Sequence, residues 1–203
     1  HRLNRRQRQM CIRDSLGTDS GPALNINRAA AIIDTVVMHG NHTGLIWNGD
    51  NNGNFPSSLS NAQLSGSTCL LLVEHTYISG SDNLITPQCS GTITLQDSQV
   101  NWSKFTDLTQ STIINLDSFS TLHLHQPVDI ALADANIAPS GEIEVAWDVS
   151  VWVQNNNSNG IPDAPVQISF DQFEPNAQQN TNQDGFVTFS DFIGQKWTNT
   201  GPS

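Results

Sequence analysis

Positive charge is what this chain has least of. Its 203 residues hold 8 Lys and Arg against 19 Asp and Glu, a formal net charge of −11. Phosphate recognition needs clustered cations, so nucleic acid is not an expected partner, and an anionic lipid surface is disfavoured for the same reason. Long hydrophobic runs are also missing. No stretch of eighteen apolar residues exists, so nothing in this sequence reads as a membrane-spanning helix. Nor is there a sustained apolar stripe of period 3.6, which argues against a helical repeat protein. A nucleophile elbow, a phosphate-binding P-loop and a dinucleotide glycine fingerprint are all lacking.

The few basic residues are unevenly placed. Five of the eight (Arg2, Arg5, Arg6, Arg8 and Arg13) fall within residues 1–15. The run RQRQMCIRDS, from Arg6 to Ser15, resembles a translated sequencing adaptor, so residues 1–15 are set aside as an artefact expected to be disordered. Only Arg28, Lys104 and Lys196 then remain among eighteen acids. A strongly negative, polar surface keeps a protein soluble and suits a saline exterior.

What is present is a short unit that keeps returning. TVVMHGNHTGLIWNG, NAQLSGSTCLLLVE, HTYISGSDNLIT, DSQVNWSKFTDL and DSFSTLHLH each carry a small polar residue, an aliphatic, a turn and another short apolar run. Units this short cannot bury an apolar face alone and must stack on one another. The expected class is all-β, with a β-solenoid over residues 16–135. Aligning Met38, Leu64, Ile78, Val100 and Leu122 as equivalent positions gives uneven steps, with loop insertions such as NGDNNGNFPSS as one explanation. These rungs resemble the right-handed parallel β-helix of pectate lyases and surface adhesins. That resemblance implies an extracellular or cell-surface setting and long presenting faces rather than one deep pocket.

The pattern changes after ANIAPSG. From Glu142 to Gln154 apolar and polar residues alternate, with Ile143, Val145, Trp147, Val149, Val151 and Val153 on one face. This predicts a half-buried antiparallel strand. Further strands are expected in VQISF and in FVTF, separated by NGIPDAP and Asp184-Gly185 turns. VSVWVQ, NGIPDAPV and NQDGFVTF resemble the Ig-like and carboxypeptidase-regulatory-like modules of surface proteins. Residues 142–203 are therefore expected to form a partial Ig-like β-sandwich of a longer protein, since about seven strands make a complete one.

Several residues are candidates for chemistry. Cys69 and Cys89 stand twenty apart, close to one rung, and fit either a disulfide between neighbouring rungs or two separately buried thiols. His123 and His125 flank Leu124 and should share one face of a strand, where two imidazoles would need a third ligand to hold zinc. NTNQDGFVTFSD places Asn180, Asn182, Asp184 and Asp191 at positions 1, 3, 5 and 12 of a loop that resembles an EF-hand or dockerin site, a calcium set. The alternative is an Asp-Gly hairpin turn leading into FVTF. Trp47, Tyr77 and Trp102 could stack on sugar rings if exposed and belong to the core if not.

Lyase chemistry of the pectate-lyase kind implies a basic residue beside carboxylates. Arg28 is the one arginine after residue 15, without an acidic cluster near it in sequence. Asp97 and Asp117 could stand in register. The leading expectation is a non-catalytic structural, adhesive or glycan-binding surface protein without a required cofactor, partnered by a polysaccharide or cell-surface component. A polysaccharide lyase or glycoside hydrolase fragment and a calcium-dependent docking module are the alternatives.

Overall fold

The computed structural model of the chain describes residues 22–40, 43–49, 57–66, 68–85, 90–108, 112–130, 135–168 and 177–202. The adaptor-like run and Cys89 lie outside them. The described residues form strands, turns and bends without a helix, and so none that could cross a membrane.

The chain passes back and forth between two parallel sheets. The first is built, in order, from β1 (Pro22–Asn27), β3 (Thr43–Asn48), β5 (Thr68–Glu74), β8 (Ser90–Gln96), β11 (Ile113–Leu116) and β13 (Ala135–Ile137). Between these strands the chain crosses to β2 (Ile32–Gly40), β4 (Ser57–Gly66), β6 (Tyr77–Ser81), β9 (Gln99–Ser103), β12 (Thr121–His125) and β14 (Glu142–Trp152) of the second. Two short strands, β7 (Leu84–Ile85) and β10 (Thr106–Asp107), continue that second sheet from the latter half of β4. The result is a β-solenoid of about four turns.

Alternation along each strand sends every second side chain inward, and the register stacks like on like. Leu24, Leu45, Leu71, Ile93 and Ile114 follow one another in the first sheet. Ile78, Val100, Leu122 and Ile143 do so in the second. All are buried and belong to one continuous core. Burying each such side chain contributes roughly 1.5–3 kcal/mol against leaving it wet, which a single rung has no means of gaining alone.

The equivalence of Leu64 with Ile78 expected from sequence is corrected here. Leu64 pairs with Ile85, and Ile78 pairs with Ser57. The strand β4 turns at Asn61, whose φ of 51° is left-handed, so one rung supplies two walls and two separate columns. Similar left-handed residues stack as corners: Arg28, His75 and Asp97 along one edge, and Asp82, Lys104 and Gln126 along another. Each corner amide bonds to the next rung, as in Arg28 N–H to Asn48 O (2.8 Å), His75 N–H to Gln96 O (2.9 Å) and Lys104 N–H to His125 O (2.8 Å). At Asp97 the acceptor is a side chain, Asp117 Oδ2 at 2.9 Å, so these two acids do stand on adjacent rungs.

The segment after residue 135 joins this architecture. Ala135–Ile137 is a strand of the first sheet, and β14 begins as the last parallel rung of the second, with Ile143 opposite Leu122. Along its other edge β14 is antiparallel to β17 (Phe186–Thr198), which pairs with β18 (Gly201–Pro202). Antiparallel β15 (Pro165–Ile168) and β16 (Ala177–Asn180) form a separate pair. Alternation on β14 is interrupted by register shifts at Val145/Ala146 and Trp147/Val149. Ile143 and Val145 consequently enter the core while Trp147 is exposed, against the unbroken apolar face expected from sequence.

Candidate functional site

The two bulges of the β14–β17 pair sit beside β12, and there the structure gathers its densest group of ionisable side chains. His123 and His125 share the outward side of β12, as their spacing predicts. One rung on, register places Glu144 opposite His123. His123 Nδ1 lies 3.1 Å from Glu144 Oε2, and its Nε2 lies 2.8 Å from Asp191 Oδ1. His125 Nε2 lies 2.9 Å from Asp148 Oδ1, which also accepts the Asp191 N–H at 3.0 Å. Lys196 Nζ reaches Glu144 Oε1 at 2.7 Å and Glu142 Oε2 at 3.6 Å.

The bulge makes this geometry. Between the paired positions Trp147–Phe192 and Val149–Phe189, β14 has one residue, Asp148, and β17 has two. The extra residue leaves Asp191 with φ of 55°, turning its carboxylate toward His123 and its amide toward Asp148. Bulges commonly re-aim a side chain in this way.

A neutral imidazole has one donor and one acceptor nitrogen, whereas both His123 nitrogens face carboxylates. Only the protonated ring donates to both. Burial of the ring works against that charge. Hydrogen bonds to Glu144 and Asp191, with the charges they carry, outweigh it and raise the His123 pKa above its ordinary 6.5. Glu144 is the mirror case: burial opposes ionisation, and Lys196 and His123 prevail, lowering its pKa below 4.5. Asp148 is lowered chiefly by the Asp191 amide and then by His125. Lys196 is raised by its bond to Glu144, against a smaller burial penalty.

The sign of the pH dependence follows. A raised His123 pKa contributes stability that is complete below about 6.5 and disappears as pH climbs through the folded value. A lowered Glu144 pKa contributes stability present above about 4.5 and lost as pH falls through the folded value. The network is therefore strongest in mildly acid solution. Replacing His123 with Ala should cost on the order of 1–2 kcal/mol at pH 5.5, and the gap from wild type should narrow as pH rises above 6.5 and through the raised folded value. Parallel melting curves across that range check it, and a pH-independent gap would refute the charged brace.

The other sequence candidates are dispersed. Trp47 and Trp102 are 0 % and 1 % exposed, so neither presents a ring to a ligand. Both occupy inward positions, Trp47 opposite Val73 and Trp102 opposite Leu124, and in a closed solenoid the inward side is core. Tyr77 opens β6 and is 50 % exposed. Cys69 is in β5 opposite Gly91, and Cys89 falls outside the described residues. Of the proposed calcium set, Asn180 ends β16 and Asn182 forms a turn, its Oδ1 accepting the Asp184 and Phe186 amides at 2.9 Å each. Asp191 is carried away from that turn by five residues of strand from Phe186, about 16 Å at the usual rise. The four do not converge, because FVTFS is extended strand instead of a wrapping loop. Among the described residues, no group of three or more His, Cys, Asp and Glu is placed to hold a metal ion.

Sequence reasoning found the two histidines and missed their partners. The step of 21 residues from His123 to Glu144 was available as a signal once the register is right. Asp191 is 68 residues from His123, and its approach depends on a bulge with no local signature. A cleft of about 840 Å³ lies elsewhere, between β13 and the β17–β18 turn, lined by Ile137, Trp197 and Pro202 among others. No family model matches the chain, and neither a curated protein nor a solved structure is detectably similar to it.

Proposed function

We propose that this chain is part of a non-catalytic surface protein: a β-solenoid, of the right-handed pectate-lyase-like kind, whose outward faces hold a polysaccharide or cell-surface component outside the cell. The antiparallel strands after residue 142 belong, in this reading, to an Ig-like spacer. One observation supports it above the rest. In the cluster around His123, the groups able to move protons are spent on each other. A general base needs a lone pair facing substrate, and a doubly donating imidazolium offers none. The cluster instead fastens β17 to the solenoid through three strands.

Arg28 is a corner residue whose amide bonds to Asn48, without a described carboxylate partner for lyase chemistry. The low positive charge of the chain likewise disfavours acidic polysaccharide substrates. Incubating the chain with a panel of neutral and acidic polysaccharides tests the reading. Retention of the protein on polymer without new reducing ends or unsaturated products is the expected result. Turnover that Arg28→Ala abolishes would overturn it in favour of a lyase.

A further inference from the structure

We infer that the outward face of the β14–β17 pair binds an uncharged polysaccharide chain, with Trp152 and Phe186 as its stacking platform; this rests on the glycan-holding reading above. The two residues are directly paired across the strands. Their rings lie 5.3 Å apart and 5° from parallel. Parallel rings this close overlap in an offset stack, each covering part of one face of the other, and at 47 % and 44 % exposure the pair still presents aromatic surface to solvent. Trp152 is held in place by its Nε1–H, which donates to Asp184 O at 3.2 Å. A ring already fixed in its binding pose loses little freedom when a ligand arrives.

The residues beside the platform suit the same ligand. Two positions along, on the same face, Ser150 and Thr188 are paired, with hydroxyls 3.0 Å apart. Two further along stands Asp148, about 13 Å from Trp152 at the usual strand rise. A pyranose ring offers C–H groups on its faces and hydroxyls around its edge. The first suit an exposed aromatic ring, and the second suit hydroxyls, which donate or accept, and carboxylates, which accept. A succession of stacked aromatic pair, hydroxyl pair and carboxylate on one strand face matches an extended chain of such rings.

Charge selects among polymers. Carboxylates stand at the far end of the strip in Asp148 and Asp191, and the whole chain carries −11. A uronate or sulfated chain would be repelled, as would an anionic membrane. A protein partner would find only two apolar rings on a polar strip, too little for a buried hot-spot core.

Affinity electrophoresis of the full chain in gels containing a neutral β-glucan or polygalacturonate tests this. Wild type should be retarded by the neutral polymer and not by polygalacturonate. Trp152→Ala should weaken retardation about tenfold, whereas Trp152→Phe and Tyr77→Ala should keep it. Thr188→Arg leaves both rings and crowds the hydroxyl step, so it should weaken binding even if Trp152→Ala fails to fold. Neutral-polymer binding that survives both Trp152→Ala and Thr188→Arg overturns this site and leaves the glycan-holding reading standing. Retardation by polygalacturonate alone overturns the ligand class. A wild-type chain retained by neither polymer overturns both.

Discussion

Gly80→Ala should destabilise the protein by about 3 kcal/mol or more, a drop of roughly 6–12 °C in Tm for a chain of this size. A Cβ on Gly80 would sit 1.7 Å from Leu59 O and 2.6 Å from Leu59 C. Nothing soft is available to yield. Leu59 is a strand residue of the neighbouring rung, and its carbonyl already accepts the Asn83 side-chain amide at 2.8 Å. Asn83 is itself buried and returns a second bond, its Oδ1 accepting the Ala62 N–H at 3.1 Å. Moving the carbonyl thus disturbs a corner in which both partners are buried, where an unmet polar group costs about 1–3 kcal/mol on its own. Gly80 is also opposite Trp102, so displacement of its strand is felt at the largest core side chains.

Gly194→Ala is the matched control. Its Cβ would meet one atom within 3 Å, at 2.9 Å, but that atom belongs to the side chain of Trp147, which is 39 % exposed, and not to buried backbone. It should cost less than about 1 kcal/mol. Thermal melts of the two variants beside wild type decide the matter. A Gly80→Ala protein melting with wild type would mean that adjacent rungs are not packed as described.

The contrast shows where the sequence was legible and where it was not. Rung length, inward aliphatics and the absence of helix follow from composition and alternation, because each rung must bury its apolar side against the next. The sequence does not mark where a rung turns. Arg28, Asn61, Asp82, Asp97 and Lys104 all adopt left-handed φ without a glycine to announce it. A corner read as straight strand shifts the equivalence of everything beyond it, which is how Leu64 and Ile78 came to be aligned. Trp47 and Trp102 were ambiguous for a related reason. Alternation says that two residues share a side, but only the closure of the sheets says which side is interior. The cluster around His123 needed both the register and a bulge 68 residues away, and composition carries neither. The same applies to the stacked Trp152–Phe186 pair: each residue is visible in its strand, and their direct pairing is fixed by the register shifts between them and Ala146.

Trp102 carries the second large effect, and the form of the substitution should decide its size. The ring is 1 % exposed and stacks on Phe105 with centroids 5.3 Å apart. Truncation to Ala removes that stack and opens a void in a core that neighbouring rungs hold rigid, which typically costs about 3–5 kcal/mol. Trp102→Phe should behave differently. The indole Nε1 is buried and finds no hydrogen-bond partner among the described residues, so the wild type already bears the cost of desolvating it. Phenylalanine removes that group and keeps an aromatic face toward Phe105. The lost volume and the relieved N–H act in opposite directions, and the net change should stay within about 1.5 kcal/mol. Trp47 supplies the comparison, because it is as deeply buried but its Nε1–H donates to Ala29 O at 3.3 Å. Trp47→Phe loses that bond together with the volume, so it should cost about 1 kcal/mol more than Trp102→Phe. Urea unfolding followed by circular dichroism, with slopes checked for constancy, ranks the three variants. If Trp102→Phe proves as damaging as Trp102→Ala, or more so than Trp47→Phe, then the Trp102 indole is not the unpaired donor in a tightly stacked core that this packing makes it.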